Sequence, residues 1–376
     1  MRDIFGLKIF NEQKVAALVR RFCVNGTFSS FSPNGRGNVN DTLVVEMKSE
    51  GQVKRFTLQR INHSVFEDPI RLMENFSRVT RHLQSKPNQN CLQLVSSKDG
   101  KFFHLDEDGN FWRMLHYVEG VICLDVPETT SQAYEAARTF GQFQVDLSDL
   151  PGSPLHETIP NFHNTSQRYQ NFLKSTEADP LNRLNSARDL YQFVLSRKDI
   201  CEAVATEKYP LRVVHNDTKL NNVLLDNKSG KGVCVIDLDT VMPGCILHNF
   251  IDLVRTASCT SHEEEKDLNK ISFDYEIFKS IVRGYLESTH KMLESIEVAG
   301  LALAPLAITY ELGIRFLTDY IDGDLYFKTN HPQQNLERAK VQFKLLESME
   351  NESLIMEEIV RNQWKTLERK KNSFSC

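Results

Sequence analysis

Two hydrophobic periods divide the chain. Up to about residue 120, short runs alternate apolar and polar positions. Residues 42–47 and 55–61 read as strands joined through Glu50-Gly51 as a hairpin turn. A helix is predicted from about Pro69 to Leu83, where Ile70, Met73, Phe76, Val79 and Leu83 share one face. Further strands are expected at 92–95, 101–105 and 111–118, with Gly100 and Gly109 as punctuation. From about 130 the period becomes helical: Ala133, Ala136, Ala137, Phe140, Phe143 and Leu147 form one stripe, and another helix is expected over 184–195. Short apolar strands interrupt at 211–214, 222–225 and 232–238. Helices then resume over 249–258 and run to the tail, with long ones near 306–321 and 333–369. The pattern predicts an α+β chain in two parts, a small β-rich lobe over 1–120 and a larger, mainly α-helical lobe over 121–376.

Composition adds exclusions. The 376 residues are 40% hydrophobic and 25% charged, which suits a globular protein of about two domains or one bilobal enzyme and rules out disorder. No apolar run reaches the roughly 20 residues of a membrane helix. The nearest, 298–308, is interrupted by Gly300 and Pro305, and residues 1–10 lack a signal peptide's apolar region, so no membrane association and a cytoplasmic location are expected. With a net charge of −5 there is no basic stripe for nucleic acid, and Lys365, Arg369, Lys370 and Lys371 read as a helix end complementing its dipole. The eight cysteines show no CxxC pair or Cys/His cluster, so neither zinc nor a disulfide framework is expected. Cys234 reads as a small buried hydrophobe and Trp112 as a core residue of a half-buried strand.

The segment 213–226 carries the chemistry. An apolar strand delivers His215 and Asp217 into a loop, and Asn222 follows five residues after the aspartate, giving the H-x-D-x-x-x-x-N spacing of a kinase catalytic loop. In that spacing Asp217 accepts the substrate hydroxyl proton and Asn222 binds magnesium. His215 reads as a brace for the loop. A second apolar strand ends at Asp237, where a second hard oxygen ligand for Mg²⁺ is needed, although Leu238 and Asp239 stand where Phe and Gly follow in protein kinases. Upstream, Gly35 and Gly37 make a Gly-x-Gly turn that lets backbone N–H groups approach the phosphates of ATP. Arg60 at a strand end and Glu74 on the next helix stand in the order of the cation that holds those phosphates and the acid that holds the cation.

With these residues assembled, the chain resembles the aminoglycoside-phosphotransferase-like kinases and, within them, the N-acetylhexosamine 1-kinases. The resemblance extends over residues 37–42, 58–62, 111–113, 159–163, 215–222, 236–244 and 311–327, the last being the mark of the sugar-kinase branch. It implies a bilobal protein-kinase-like fold and transfer of the γ-phosphoryl of ATP to the C1 hydroxyl of N-acetylglucosamine or N-acetylgalactosamine. Asp217 would be the base, Asn222 and Asp237 the Mg²⁺ ligands, and Asn40, Arg315 and Tyr326 contacts to the sugar. Asn38 departs from a common His, and Arg60 from a common Lys.

Glu311, Arg315 and Asp319 fall at i, i+4 and i+8 on one helix face, so the guanidinium is expected to be held by carboxylates. Other acceptors, an aminoglycoside, choline or another sugar, remain open, as does an inactive nucleotide-binding regulator. A cationic acceptor calls for several carboxylates, and the acidic run 263–265 reads more simply as a solvated loop. A protein kinase is disfavoured, since no Ala-Pro-Glu follows Asp237.

Overall fold

The computed structural model describes residues 10–34, 39–87, 90–203 and 208–373; Gly35 and Gly37 lie outside the described residues. The chain divides into two compact units. The first comprises the chain to Val121 with residues 150–160 and 234–242, and the second comprises 122–149, 161–233 and 243–376. Two segments within the part of the chain read above as one helical lobe thus belong to the first unit.

In the first unit, helix α1 (Glu12–Val19) is capped by Asn11, whose side-chain oxygen accepts the Lys14 N–H at 2.7 Å. Strands β1 (Thr27–Pro33), β2 (Asp41–Ser49) and β3 (Gln52–Arg60) form an antiparallel meander. Glu50 and Gly51, both at positive φ, make the tight turn between β2 and β3. Helix α2 (Pro69–Ser85) starts at Asp68, which caps the Arg71 N–H at 3.0 Å. Strands β4 (Leu94–Val95), β5 (His104–Leu105) and β6 (Phe111–His116) complete the sheet in the order β1-β2-β3-β6-β4, with β5 paired to β6.

Alternation then separates the two faces of this sheet. Leu43, Val45, Phe56, Leu58, Trp112 and Met114 pack against Val15, Leu18 and Val19 of α1. Thr42, Gln59 and Arg113, opposite one another in register, form a row on the other face. Trp112 is a core residue as expected, with its Nε1 donating to Asp106 at 2.8 Å. On α2 the buried stripe is Leu72, Met73, Phe76, Val79 and Leu83; Ile70 is exposed, and Leu72 takes the place expected for it.

Short strand β7 (Val121–Ile122) follows. In the second unit, helix α3 (Thr130–Asp146) opens on a capping box between Thr129 and Gln132. Helices α4 (Thr165–Ala178), α5 (Arg188–Leu195) and α6 (Ile200–Ala203) come next, with a 3₁₀ turn over 184–187 where a continuous helix was expected. The loop-bearing strands are β8 (Leu211–Val214), β9 (Val223–Asp226), β10 (Gly232–Val235) and β11 (Met242–Cys245). The β9–β10 hairpin is closed by the Asp226 N–H to the Lys231 carbonyl at 2.8 Å, and β11 pairs with β8.

Helices α7 (His248–Ala257), α8 (Tyr275–Thr289), α9 (Ser295–Gly300), α10 (Ala304–Asp322), α11 (Gln334–Asn351) and α12 (Ser353–Ser373) make up the rest. Helix α10 is buried along most of its length among α4, α7 and α11. Helices α3 and α8 cross closely at Gly284, where a Cβ would stand only 2.2 Å from the Tyr134 carbonyl oxygen. The single helix expected over 333–369 is two, broken at Glu352; the sequence marks the break only by weak helix formers on either side, Asn351 and Ser353. Among the described residues no helix is long and apolar enough to cross a membrane.

Candidate active site

The start of the loop between β8 and β9 is fixed by side chains that bind its backbone groups. Gln144 of α3 donates to the Val213 carbonyl at 2.7 Å and receives the Asn249 amide at 2.5 Å. Asn249 of α7 in turn accepts the His215 N–H at 2.6 Å. His215 is fully buried between the edges of Phe140 and Phe143, and its Nδ1 accepts the Asp217 N–H at 3.3 Å, the bracing position expected of it. Asn216 adopts the left-handed backbone (φ 66°), which turns the chain so that Asp217 leaves the strand direction.

Asn222 closes the loop. Its amide donates to the Asp217 carbonyl at 2.8 Å and to the Asp217 carboxylate at 3.2 Å, while its own side-chain oxygen takes no hydrogen bond among the described residues. A cation accompanies the carboxylate: Lys219 Nζ lies 2.8 Å from Asp217 Oδ1. Asp217 raises the Lys219 pKa, outweighing burial, and Asp252 adds to the effect. Asp252 of α7 is itself buried and paired with Arg255 at 2.8 Å; burial works against its charge, but Arg255 and Lys219 hold it below the usual carboxylate range. Loop and α7 together thus set charges of alternating sign side by side, Asp217 and Lys219 from the loop and Asp252 and Arg255 from the helix.

A second brace comes from the segment before α4. His163 Nε2 donates to the Asn216 carbonyl at 2.7 Å, and its Nδ1 faces Glu311 Oε1 of α10 at 3.6 Å. Thr165 donates to the other Glu311 oxygen at 2.7 Å. Burial lowers the pKa of His163, but Glu311 more than reverses that, so the imidazole is held above its ordinary value. Glu311 is held below its own, burial notwithstanding, by His163. The His248 ring lies 4.8 Å from that of His163, tilted against it, and is pushed down to about 3 by burial and by that neighbouring imidazole, which keeps it neutral.

Helix α10 carries Arg315, and the turn after it carries Tyr326. The Arg315 guanidinium lies 5.7 Å from the Tyr326 ring and 5.5 Å from the Phe327 ring, and Tyr326 is 70% exposed. The carboxylate clamp expected around Arg315 is not formed. Glu311 is committed to Thr165 and His163, and Asp319 accepts the N–H groups of Leu325 at 2.8 Å, Tyr326 at 2.7 Å and Phe327 at 2.9 Å. An aspartate near a helix end is drawn to the unpaired N–H groups of the following turn, which the i, i+4 rule for an isolated helix does not see.

In the first unit, Asp237 stands exposed at a left-handed position (φ 58°) at the end of β10. Asp239, two residues on, is 2% exposed and forms a bidentate ion pair with Arg113, itself 1% exposed, with Nη2–Oδ2 at 2.9 Å. Arg113 Nε also donates to Gln59 at 2.9 Å, Gln59 donates to Thr42 at 3.1 Å, and the guanidinium lies 4.4 Å above the Phe76 ring.

The profile of the phosphotransferase enzyme family (APH) matches residues 30–275. The chain belongs to this family. The fold of this APH phosphotransferase is similar to that of the microcompartment-associated aminopropanol kinase (TM-score 0.60, 14% identity, 91% of this chain and 98% of that one). It is also similar to the aminoglycoside phosphotransferase from Alicyclobacillus acidocaldarius (0.58, 14%, 96% and 98%) and the choline kinase from Cryptosporidium parvum (0.58, 14%, 94% and 99%). The kinase-like α+β fold and the small-molecule phosphotransferase class are therefore those of the chain.

Three site expectations for the phosphotransferase need correction. Arg60 and Glu74 do not pair: Arg60 binds Asp41 on the α1 face of the sheet, and Glu74 accepts from His156 at 3.0 Å. Arg60 follows Phe56 and Leu58 at even positions, so the strand period turns it away from the face that holds Arg113. Asn40 is engaged at both ends, donating to Asp239 at 2.6 Å and accepting the Asn62 N–H at 3.0 Å, and is buried rather than presented to a ligand. The run 263–265 is not simply solvated, since Glu264 pairs with Arg338 and Gln334 at 2.6 Å each, and Glu263 lies 3.7 Å from Arg338.

Sequence reasoning also missed His163, Lys219, Asn249, Asp252, Arg113 and Asp239. Lys219 and Asp239 had a signal, being charges next to the recognised motif. Arg113 and His163 stand in the resembling segments 111–113 and 159–163, where no role was assigned to them, and Asn249 and Asp252 come from a distant segment and had no signal.

Proposed function

We propose that this phosphotransferase moves the γ-phosphoryl group of ATP to the anomeric C1 hydroxyl of an N-acetylhexosamine, yielding the sugar 1-phosphate and ADP. The observation that carries the reaction class is the Asn222 amide clamping Asp217 while its own side-chain oxygen takes no hydrogen bond among the described residues, on a loop with kinase spacing. Asp217 accepts the C1 hydroxyl proton as the C1 oxygen bonds to the γ-phosphorus and the bond from that phosphorus to the β–γ bridging oxygen breaks. Lys219, 2.8 Å from Asp217 Oδ1, orients the carboxylate.

Asn222 and Asp237 each carry a hard oxygen donor of the kind Mg²⁺ takes. Asn222 and Asp237 would hold the ion, which when bound neutralises charge on the phosphates. Gly35 and Gly37 are proposed for the phosphates of ATP.

The sugar reading rests on Arg315 beside the exposed Tyr326 ring, an aromatic face next to a guanidinium fork, together with the resemblance of 311–327 to the sugar kinases. A cationic acceptor is less well served, because Glu263 and Glu264 are occupied by arginines. The test is Asp217→Asn, which is expected to keep ATP affinity within about threefold and to lower kcat by about 10³-fold or more, the scale of losing general base catalysis with its orientation. Unchanged turnover would overturn the assignment.

A further inference from the structure

Helices α4 and α10 run in the same direction. Thr165 bonds Glu311 at 2.7 Å at one end and Ser175 bonds Asp322 at 2.9 Å at the other, ten residues further along α4 and eleven along α10. Arg168 lies one turn beyond Thr165, and Arg315 one turn beyond Glu311. The next rung of this ladder is therefore two guanidinium groups.

Neither forms an ion pair. Among the described residues no carboxylate oxygen comes within 4.0 Å of a nitrogen of Arg168 or Arg315. The neighbouring acids are spoken for: Glu311 by Thr165 and His163, Asp319 by the turn 325–327 and by Asn335 at 2.8 Å, and Asp322 by Ser175. Arg168 Nε is buried without a hydrogen-bond partner, and Nη2 reaches only the Phe162 carbonyl at 3.5 Å. Burial and the charge of Arg315 hold the Arg168 guanidinium below its ordinary pKa, outweighing the opposite pull of Glu311. Other arginines of this unit near α10 are paired, Arg183 with Asp324 at 2.6 Å and Arg338 with Glu264 at 2.6 Å. Two adjacent guanidinium groups lacking a carboxylate repel each other, and a planar anion in reach of both forks relieves that cost.

We propose that Arg168 and Arg315 form an anion subsite for the acceptor, so that the preferred N-acetylhexosamine carries an acid group, a carboxylate or a phosphate monoester, away from C1. The identity of the sugar rests on the anomeric-kinase reading above; the subsite rests on the two helices.

The experiment compares N-acetylglucosamine, its 6-phosphate and its 6-carboxylate with the full-length wild type, Arg168→Met and Arg168→Lys. It measures kcat/KM with ATP, binding without nucleotide by calorimetry, and the melting temperature. The wild type is expected to prefer at least one acidic sugar by about tenfold or more, the scale of charge-assisted hydrogen bonds. The preferred acid identifies the anion. Arg168→Met should bring the ratio close to one and melt above the wild type, since it removes a partly buried charge that forms no ion pair. Arg168→Lys, with the charge but not the fork, should fall between. Equal or better use of the neutral sugar by the wild type, or an unchanged ratio in Arg168→Met, would overturn the subsite. Acid binding that is lost in Arg168→Met, with no transfer to C1 of any sugar, would support the subsite and reject the anomeric-kinase reading.

Discussion

His163 donates to the carbonyl oxygen of Asn216 at 2.7 Å, and Asn216 is the residue before Asp217. The peptide linking them is thereby held by an imidazole that Glu311 keeps above its ordinary pKa. This contact ties α10 to the left-handed backbone that aims the candidate base.

The sign of the pH effect follows. With its folded-state pKa raised above 6.5, His163 contributes its charged contact fully below the unfolded value and loses it as pH rises through the folded one. Glu311→Gln removes the raising partner and leaves burial dominant, so the His163 resonance should titrate below 6.5 rather than above it, and kcat should fall at a lower pH. Proton–carbon NMR of the histidine rings checks this; an unmoved titration would contradict it.

Replacing the donor is the companion test. His163→Ala should lower kcat about tenfold or more through loss of a buried hydrogen bond that orients Asp217, with the KM for ATP little changed. His163→Gln, which can still donate, should recover part of the loss, as steady-state kinetics would show.

Arg113 and Asp239 predict a stability effect. Each is almost wholly buried in a bidentate pair, so Asp239→Ala leaves an unpaired buried guanidinium and should cost about 3–5 kcal/mol in denaturant unfolding. Replacing both by apolar residues of similar volume should cost distinctly less.

Much of the first unit is legible in its sequence because it depends on local rules. The period of two over β2 and β3, the positive-φ turn at Glu50-Gly51 and the Asp68-Pro69 helix start are all readable there. The spacing of His215, Asp217 and Asn222 was legible for the same reason, since the Asn222 clamp spans five residues. What was not legible is longer in range. Arg113 meets Asp239 across 126 positions, and His163 meets Glu311 across much of the second unit. Arg60 was misplaced by strand parity, which turns on a single residue. Asp319 was misplaced because the turn 325–327 competes for its carboxylate.

Asp319 yields a further expectation. Asp319→Ala removes the acceptor of three backbone N–H groups that hold Tyr326 beside Arg315, so the KM for the sugar should rise about tenfold while that for ATP stays within about twofold. A change confined to ATP would contradict this placement.

Arg60→Met should leave the KM for ATP within about threefold, because the guanidinium is engaged with Asp41 on the α1 face. A large loss of nucleotide affinity in kinetics would reverse the correction.

The central claim is transfer to C1, and phosphorus NMR of the protein with ATP, Mg²⁺ and either N-acetylglucosamine or N-acetylgalactosamine, with the acidic sugars run alongside, reads it most directly. The account predicts a new phosphomonoester coupled to the anomeric proton, absent with Asp217→Asn. ATP binding without such a signal from any of these sugars, or a phosphate coupled to another ring proton, would contradict it.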